Sequence, residues 1–199
     1  MQVDVFLALV VFAFVMAFTP GPNNILLAHS GVNFGFARTI PHQLGVDVGF
    51  VFLLAVFAAG LGVVFAAAPA LQLALKIAGA LYMLWLAWKV ASARPLEEKG
   101  AAAGRPMTFL QAAAFQWINP KAVVAALSGI AVYMRPGHEF GDFLIVLAVF
   151  AVSTVLSTAT WTGFGVALRG LLHNPTYARI FNVTMGVLLA ACIIPIVSE

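Results

Sequence analysis

Apolar residues fill this chain in long stretches, each near the ~20 residues that an α-helix needs to cross a hydrocarbon core. Six spans are predicted, at about 4–30, 43–66, 69–90, 108–133, 141–167 and 178–197. The joins are brief. One hydrophilic segment, "ASARPLEEKGAAAGRPM" (Ala91 to Met107), has the Pro, Gly, Ala and charges of a linker. It divides the chain into a first three-helix half, 1–91, and a second, 108–199, joined by a linker at 92–107.

The first span is interrupted. "VFLALVVFAFVMAF" gives way to "TPGPNN" (Thr19 to Asn24) before "ILLA" resumes. A shift of one hundred residues lays "AFTPGPN" over "WINPKAV" in the fourth span, with Pro20 on Pro120 and Thr19 on Asn119. Three spans per half is an odd number, so the second half inserts upside down relative to the first. Inverted halves with Pro/Gly interruptions at matching places are the pattern of secondary transporters. Thr and Asn cap helices through a side-chain oxygen, and Pro suits the position after a cap. Thr19-Pro20 and Asn119-Pro120 are therefore each read as the start of a half-helix inside the membrane. Such a start offers unpaired N–H groups and about half a positive charge, which suits a carboxylate.

Composition agrees with the pattern. Of 199 residues 63% are hydrophobic and 9% charged, against about 25% charged in soluble domains, and the mean hydropathy is +1.03. The net charge of +3 follows from basic loops of a membrane protein and does not call for nucleic acid. With the N-terminus outside, the cytoplasmic face receives Arg38, Lys89, Arg94, Lys99, Arg105, Arg169 and Arg179, and the outer face Arg135. That asymmetry sets both termini outside. No Lys or Arg precedes Arg38, so the first segment reads as a retained span and not as a signal peptide. The single cysteine, Cys192, excludes an internal disulfide and a cysteine-built metal site.

Polar residues at membrane depth carry the candidate chemistry. A mid-bilayer charge costs at least ~2.5–3.5 kcal/mol, so such groups face a cavity or a partner. Asn23, Asn24, Asp47, Gln116 and Lys121 fall in that class. Lys121 is placed to attract a carboxylate or to pair with Asp47, the acid well inside a span. Asp47 is read as a receiver of a substrate ammonium or of a proton. Thr154, Thr158 and Thr162 follow one face of the fifth span, beside Ser153 and Ser157, either as helix glue or as a polar path. Gly45 and Gly49 have the spacing of close helix packing. His29, His42 and Asp47 raise a divalent-metal alternative. His42 and Asp47 are five apart, about 140° from one another on a helix, and do not share a face. No nucleophile–base constellation, phosphate loop or paired carboxylate points to an enzyme, and no cofactor is called for.

With "TPGPNN", "GVDVGF", "GALYMLWLAWK" and "FQWINPKA" in the first four spans, the chain resembles the LysE/RhtB family of amino-acid exporters along essentially its whole length. The resemblance implies an all-α integral membrane protein of six transmembrane helices in two inverted repeats, broken at helices 1 and 4. It implies proton-driven export of amino acids or close derivatives from the bacterial cytoplasm through the inner membrane. The subgroup that handles homoserine, threonine, cysteine or O-acetylserine is the nearer one. The substrate-binding positions carried over are Pro20, Gly21, Pro22, Asn23, Asn24, Asn119, Pro120 and Lys121, to which the residue reading adds Thr19. Asp47 stands where relatives are expected to carry a small or neutral residue. The partners implied are an amino-acid substrate, protons and lipid, and six small spans allow a homodimer.

Overall fold

The computed structural model describes residues 1–63, 67–93, 105–135 and 137–194, without the side chain of His173. Among the described residues all regular structure is helical. In order these are α1 (Val3–Phe18), α2 (Pro22–Val56) with a π-helical turn (Phe57–Leu61), α3 (Pro69–Ala91), α4 (Phe109–Phe115), α5 (Pro120–Tyr133), α6 (Glu139–Leu168), a 3-10 turn (Leu171–His173) and α7 (Pro175–Ala191). Pro22–Leu61, Pro69–Ala91 and Glu139–Leu168 are long and apolar enough to cross a membrane, while Val3–Phe18 and Pro120–Tyr133 are apolar but shorter. Large apolar side chains stand exposed in helical rows: Val3, Leu7, Val11 and Val15 on α1, and Leu44, Val48 and Phe52 on α2. Rows of that kind belong against lipid, since the bilayer is the solvent that makes no demand for their burial.

Both predicted interruptions are present, but the first is built differently from the reading of Thr19-Pro20 as cap and first turn. Thr19 ends α1, with its backbone N–H bonded to the Val15 carbonyl, and Gly21 precedes α2, with Pro22 at its start. The reason is local. "TPGP" holds two prolines, and the second leads directly into the apolar run, so the chain spends Thr19 to Gly21 turning before the new helix begins. The second interruption matches the reading: Asn119 caps α5 by accepting from the Lys121 N–H at 3.2 Å, and Pro120 follows it.

The expected second span at 43–66 begins earlier in the fold. Helix α2 runs from Pro22 and changes direction at Gly35, whose φ of 79° and ψ of 172° are non-helical and essentially restricted to glycine. Ser30 and Thr39 lie on either side, with hydroxyl oxygens 3.3 Å apart. In a straight helix nine residues advance ~13.5 Å, so the chain turns sharply at Gly35. The first arm, 22–34, is buried at Pro22, Asn24 to Ala28 and Ser30 to Asn33. The second arm starts at 36, inside the join expected between 30 and 43. The third, fourth and fifth spans coincide closely with α3, with α4 plus α5, and with α6. The end of the second span (64–66), most of the linker (94–104) and the end of the sixth span lie outside the described residues.

Helix α6 lies along α2 and α1, α4 lies on α2, and α3 lies on α7. One apolar core joins Leu9 and Ala13 of α1 with Phe50 and Leu54 of α2, Ala125 and Ala126 of α5 and Phe150 of α6. A second joins Ile25 and Leu26 of the first arm with Met83 and Leu86 of α3, Phe115 of α4 and Leu189 of α7. The two interruptions fall between these cores. At the far end of α5, Asp142 accepts from the Arg135 guanidinium at 2.8 and 2.9 Å and from its backbone N–H at 3.1 Å, closing the turn into α6.

Candidate functional site

The two breaks meet, although a hundred residues separate them. Asn23 donates to the Gln116 side-chain carbonyl at 2.8 Å, and Gln116 returns a bond to Asn23 at 3.3 Å. Gln116 is fully buried and donates also to the Ala112 carbonyl at 2.8 Å. Lys121 crosses from the second break to the first, where its ammonium bonds the Thr19 carbonyl. A Cβ on Gly21 would stand 2.7 Å from Lys121 Cδ, so the lysine stem lies in the notch that glycine leaves.

The Ala17 and Thr19 carbonyls, freed at the end of α1, are given donors, which suits a membrane interior. Asn24 donates to Ala17 at 2.9 Å and Thr19 at 3.0 Å, and Ser157 donates to Ala17 at 2.8 Å. The N–H groups at the start of α2 are not treated alike. Gly21 has no side chain to act as a cap and Pro22 has no N–H, which leaves the Asn23 and Asn24 N–H groups without a capping side chain among the described residues, as an anion site requires.

A cavity of about 60 Å³ occupies this junction. Its polar lining comes from Asn23, Asn24, Gln116, Asn119, Lys121, Thr154, Ser157 and Thr158, and its apolar wall includes Val46, Phe50 and Phe150. Of the ten residues singled out from sequence, Gly21, Asn23, Asn24, Asn119 and Lys121 line it. Thr19, Pro20, Pro22, Pro120 and Asp47 are not among the lining residues. Thr19 turns its hydroxyl to the Val15 carbonyl and not to the cavity, and its own carbonyl accepts from Lys121. The prolines shape the turns and have no donor of their own to offer.

Asp47 is buried, 7% exposed, and its partner is not Lys121. The Thr158 hydroxyl lies 3.2 and 3.3 Å from the two carboxylate oxygens and 3.1 Å from the Val155 carbonyl of its own helix, so its one proton is shared among these acceptors. Thr158 lines the cavity, so Asp47 stands one hydroxyl behind its wall. The expected Asp47–Lys121 ion pair is absent among the described residues, where Lys121 is committed to Thr19. No group of three His, Cys, Asp or Glu residues converges as a metal site among the described residues.

Sequence reasoning weighed Gln116 as a polar residue at depth without placing it in the site. The signal was available: it precedes Asn119 by three residues, within the same interruption. Thr158 and Ser157 were read chiefly as helix glue. Only the antiparallel approach of α2 and α6 shows that two of these hydroxyls reach Asp47 and Ala17.

The family model described as LysE type translocator matches residues 14–194. The chain is 29% identical over 189 residues, 93% of each chain, to the cysteine/O-acetylserine efflux proteins of Escherichia coli (strain K12) and Shigella sonnei (strain Ss046). The protein of that name from Escherichia coli O1:K1 / APEC is similar to the same extent. No solved structure matches the chain.

Proposed function

The chain belongs to the LysE type translocator family, and from that premise we propose that it is a secondary exporter of small amino acids or close derivatives, coupled to protons. One observation carries the proposal: both proline breaks open on a single cavity that holds a lysine ammonium, an uncapped helix start and seven amide or hydroxyl side chains. Such a set binds a zwitterion's α-carboxylate. Lys121 and the N–H groups after Gly21 face the negative end, and Asn23, Asn24, Gln116 and Asn119 supply directional hydrogen bonds. Admitting one water takes ~10–15 Å³, so the cavity of about 60 Å³ takes a ligand of a few heavy atoms. The likeness to proteins named for cysteine/O-acetylserine efflux favours homoserine, threonine, cysteine or O-acetylserine over long cationic amino acids.

The breaks supply the moving parts. Unwound residues between half-helices, Thr19 to Gly21 and Gln116 to Asn119, let one half of the chain rock against the other around a fixed site. In this reading six spans form two inverted halves in the bacterial inner membrane, with both termini outside and the Arg38–Arg169 end in the cytoplasm. Asp47, screened from the cavity by Thr158, is the group that takes up and releases the proton.

Efflux from preloaded cells tests the proposal, across a panel of O-acetylserine, cysteine, threonine, homoserine and lysine, with and without a protonophore. Faster loss of the small neutral members, abolished by the protonophore, is the expected result. Equal retention of every amino acid in expressing and control cells overturns it.

A further inference from the structure

A second polar space lies beyond the cavity at the two breaks. Where α5 turns into α6, a hollow of about 440 Å³ is lined by Met1, Arg135, Glu139, Asp142 and Ile145, among others. Its charges answer one another, since Arg135 bonds Asp142 and Glu139 accepts from the Gly137 N–H at 2.8 Å. Three helices lead from this hollow to the cavity in the same order. Along α6, Asp142 and Ile145 face the hollow, Phe150 follows, and Thr154 and Ser157 face the cavity. Along α5, Ala122 and Ala125 line the cavity, Gly129 and Tyr133 come next, and Arg135 lies beyond the helix end. Along α1, Phe12 stands one turn before the cavity residues Met16 and Ala17, and Met1 reaches the hollow.

Aromatic rings occupy the interval. Phe12 meets Phe150 edge-on with centroids 6.1 Å apart and lies 5.8 Å from Tyr133, while Phe150 is 5.4 Å from Phe50 of α2. Leu9 and Val146, both fully buried, belong to the same core, on which Met1 and Ile145 of the hollow also pack. A layer of this kind passes neither water nor a zwitterion, because their polar groups find no partner in it.

One contact sets this layer apart from the packing at the other end of the cavity. There, a Cβ on Gly31, Gly165 or Gly45 would run into the carbonyl oxygen of Thr162, Ala28 or Phe109. Backbone lies on backbone at those points, and only whole helices can part. A Cβ on Gly129 would instead stand 2.7 Å from Phe150 Cε2 and 3.3 Å from Cζ. The ring of Phe150 rests on the bare backbone of α5, and a side chain can leave such a seat by changing rotamer.

We propose that Phe150, seated on Gly129 and packed against Phe12 and Phe50, is the gate between the cargo cavity and the mouth at Arg135–Asp142. Rotation of the ring off Gly129, with Phe12 giving way, joins the cavity to the hollow, and its return seals the layer. Apolar constrictions close by dewetting, so the gate needs no charge of its own. It rests on the reading of the cavity as a cargo site, which must not stand open to both sides at once.

Labelling by a membrane-impermeant maleimide tests the gate without any transport. Cys192 is the one native cysteine, so the series is built on Cys192→Ser. Thr154→Cys puts the probe in the cavity, and His138→Cys, exposed at the hollow, reports which side of the membrane the mouth faces. Phe150→Ala is expected to speed labelling of the Thr154→Cys protein at least tenfold from the mouth side and less than twofold from the other. An unchanged rate from the mouth side overturns the gate, and so does equal acceleration from both sides. Phe12→Ala, at a half-buried residue on another helix, decides the matter if Phe150→Ala fails to reach the membrane. At least fivefold faster labelling from the mouth side is expected of it, and a wild-type rate overturns the gate. Met83→Ala opens the second core instead and should leave labelling within twofold; acceleration matching that of Phe150→Ala assigns the effect to general loosening and overturns the gate. Labelling as expected in a protein that exports no amino acid overturns the proposed function, and leaves the barrier between the two spaces standing.

Discussion

Asn23 and Gln116 exchange two hydrogen bonds, at 2.8 and 3.3 Å, across ninety-three residues of sequence. The pair ties the start of the first half-helix to the unwound end of α4. Each amide completes the other's valences in a place where water is scarce, so removing one leaves its partner bare. Asn23→Leu and Gln116→Leu are each expected to cost ~1–3 kcal/mol. The double variant should cost less than the sum, with a coupling of ~0.6–1.7 kcal/mol. Unfolding in mixed micelles measures the cycle, and strict additivity removes the pair as a tie between the breaks.

Lys121 holds the Thr19 carbonyl while its ammonium faces the cavity. Replacing it with methionine keeps the stem that fills the notch at Gly21 and deletes the charge. A lost charge-assisted bond to the substrate carboxylate is worth ~1.5–3 kcal/mol, or roughly 10- to 150-fold in transport at low substrate concentration. Lys121→Met should therefore insert normally and export poorly, with Lys121→Arg intermediate. Efflux rates normalised to membrane abundance decide this. Unchanged efflux in Lys121→Met frees the lysine of any part in binding.

How far the sequence disclosed this arrangement differs from residue to residue. Asn119-Pro120 was readable because capping is a local matter: an Asn oxygen, a proline and two N–H groups within four residues. Thr19 misled because threonine satisfies its hydroxyl equally well on a carbonyl four residues back, and two prolines in "TPGP" offered two starting points for one helix. Gly35 was hidden for another reason. It falls inside the join expected between 30 and 43, beside Asn33 and Arg38, but a turn made by one residue's φ within continuing helix is nothing that hydropathy registers. The separation of Asp47 from Lys121 was beyond reach, since it depends on which helix comes to lie against each.

The turn at Gly35 gives a direct check on the fold. At φ 79° and ψ 172° an alanine is strained by ~1–3 kcal/mol, although the Cβ itself meets only Arg169 at 3.7 Å. Gly35→Ala should lower stability by about that amount, and Gly60→Ala, at φ 108° with open space around it, serves as the comparison for backbone strain without contact. Thermal unfolding in detergent reads both. Full stability in Gly35→Ala means that the two arms of α2 do not turn at this residue.

Two threonines one turn apart on α6 line the same cavity but differ in what they hold. Thr154 bonds the Phe150 carbonyl of its own helix at 2.9 Å, a bond whose loss is worth ~0.6 kcal/mol and under threefold in rate. Thr158 reaches the Val155 carbonyl of its own helix at 3.1 Å but also Asp47, and valine there leaves a buried carboxylate without that donor, at a cost of ~1.5–3 kcal/mol whenever the group is ionised. Valine has nearly the shape of threonine, so packing changes little in either case. Thr158→Val should slow proton-driven efflux roughly 10- to 150-fold, while Thr154→Val stays near wild type. The measurement is efflux of O-acetylserine from liposomes under an imposed pH gradient, at equal protein content. Equal rates for the two variants detach Thr158 from Asp47, and the cavity wall then has no special hydroxyl.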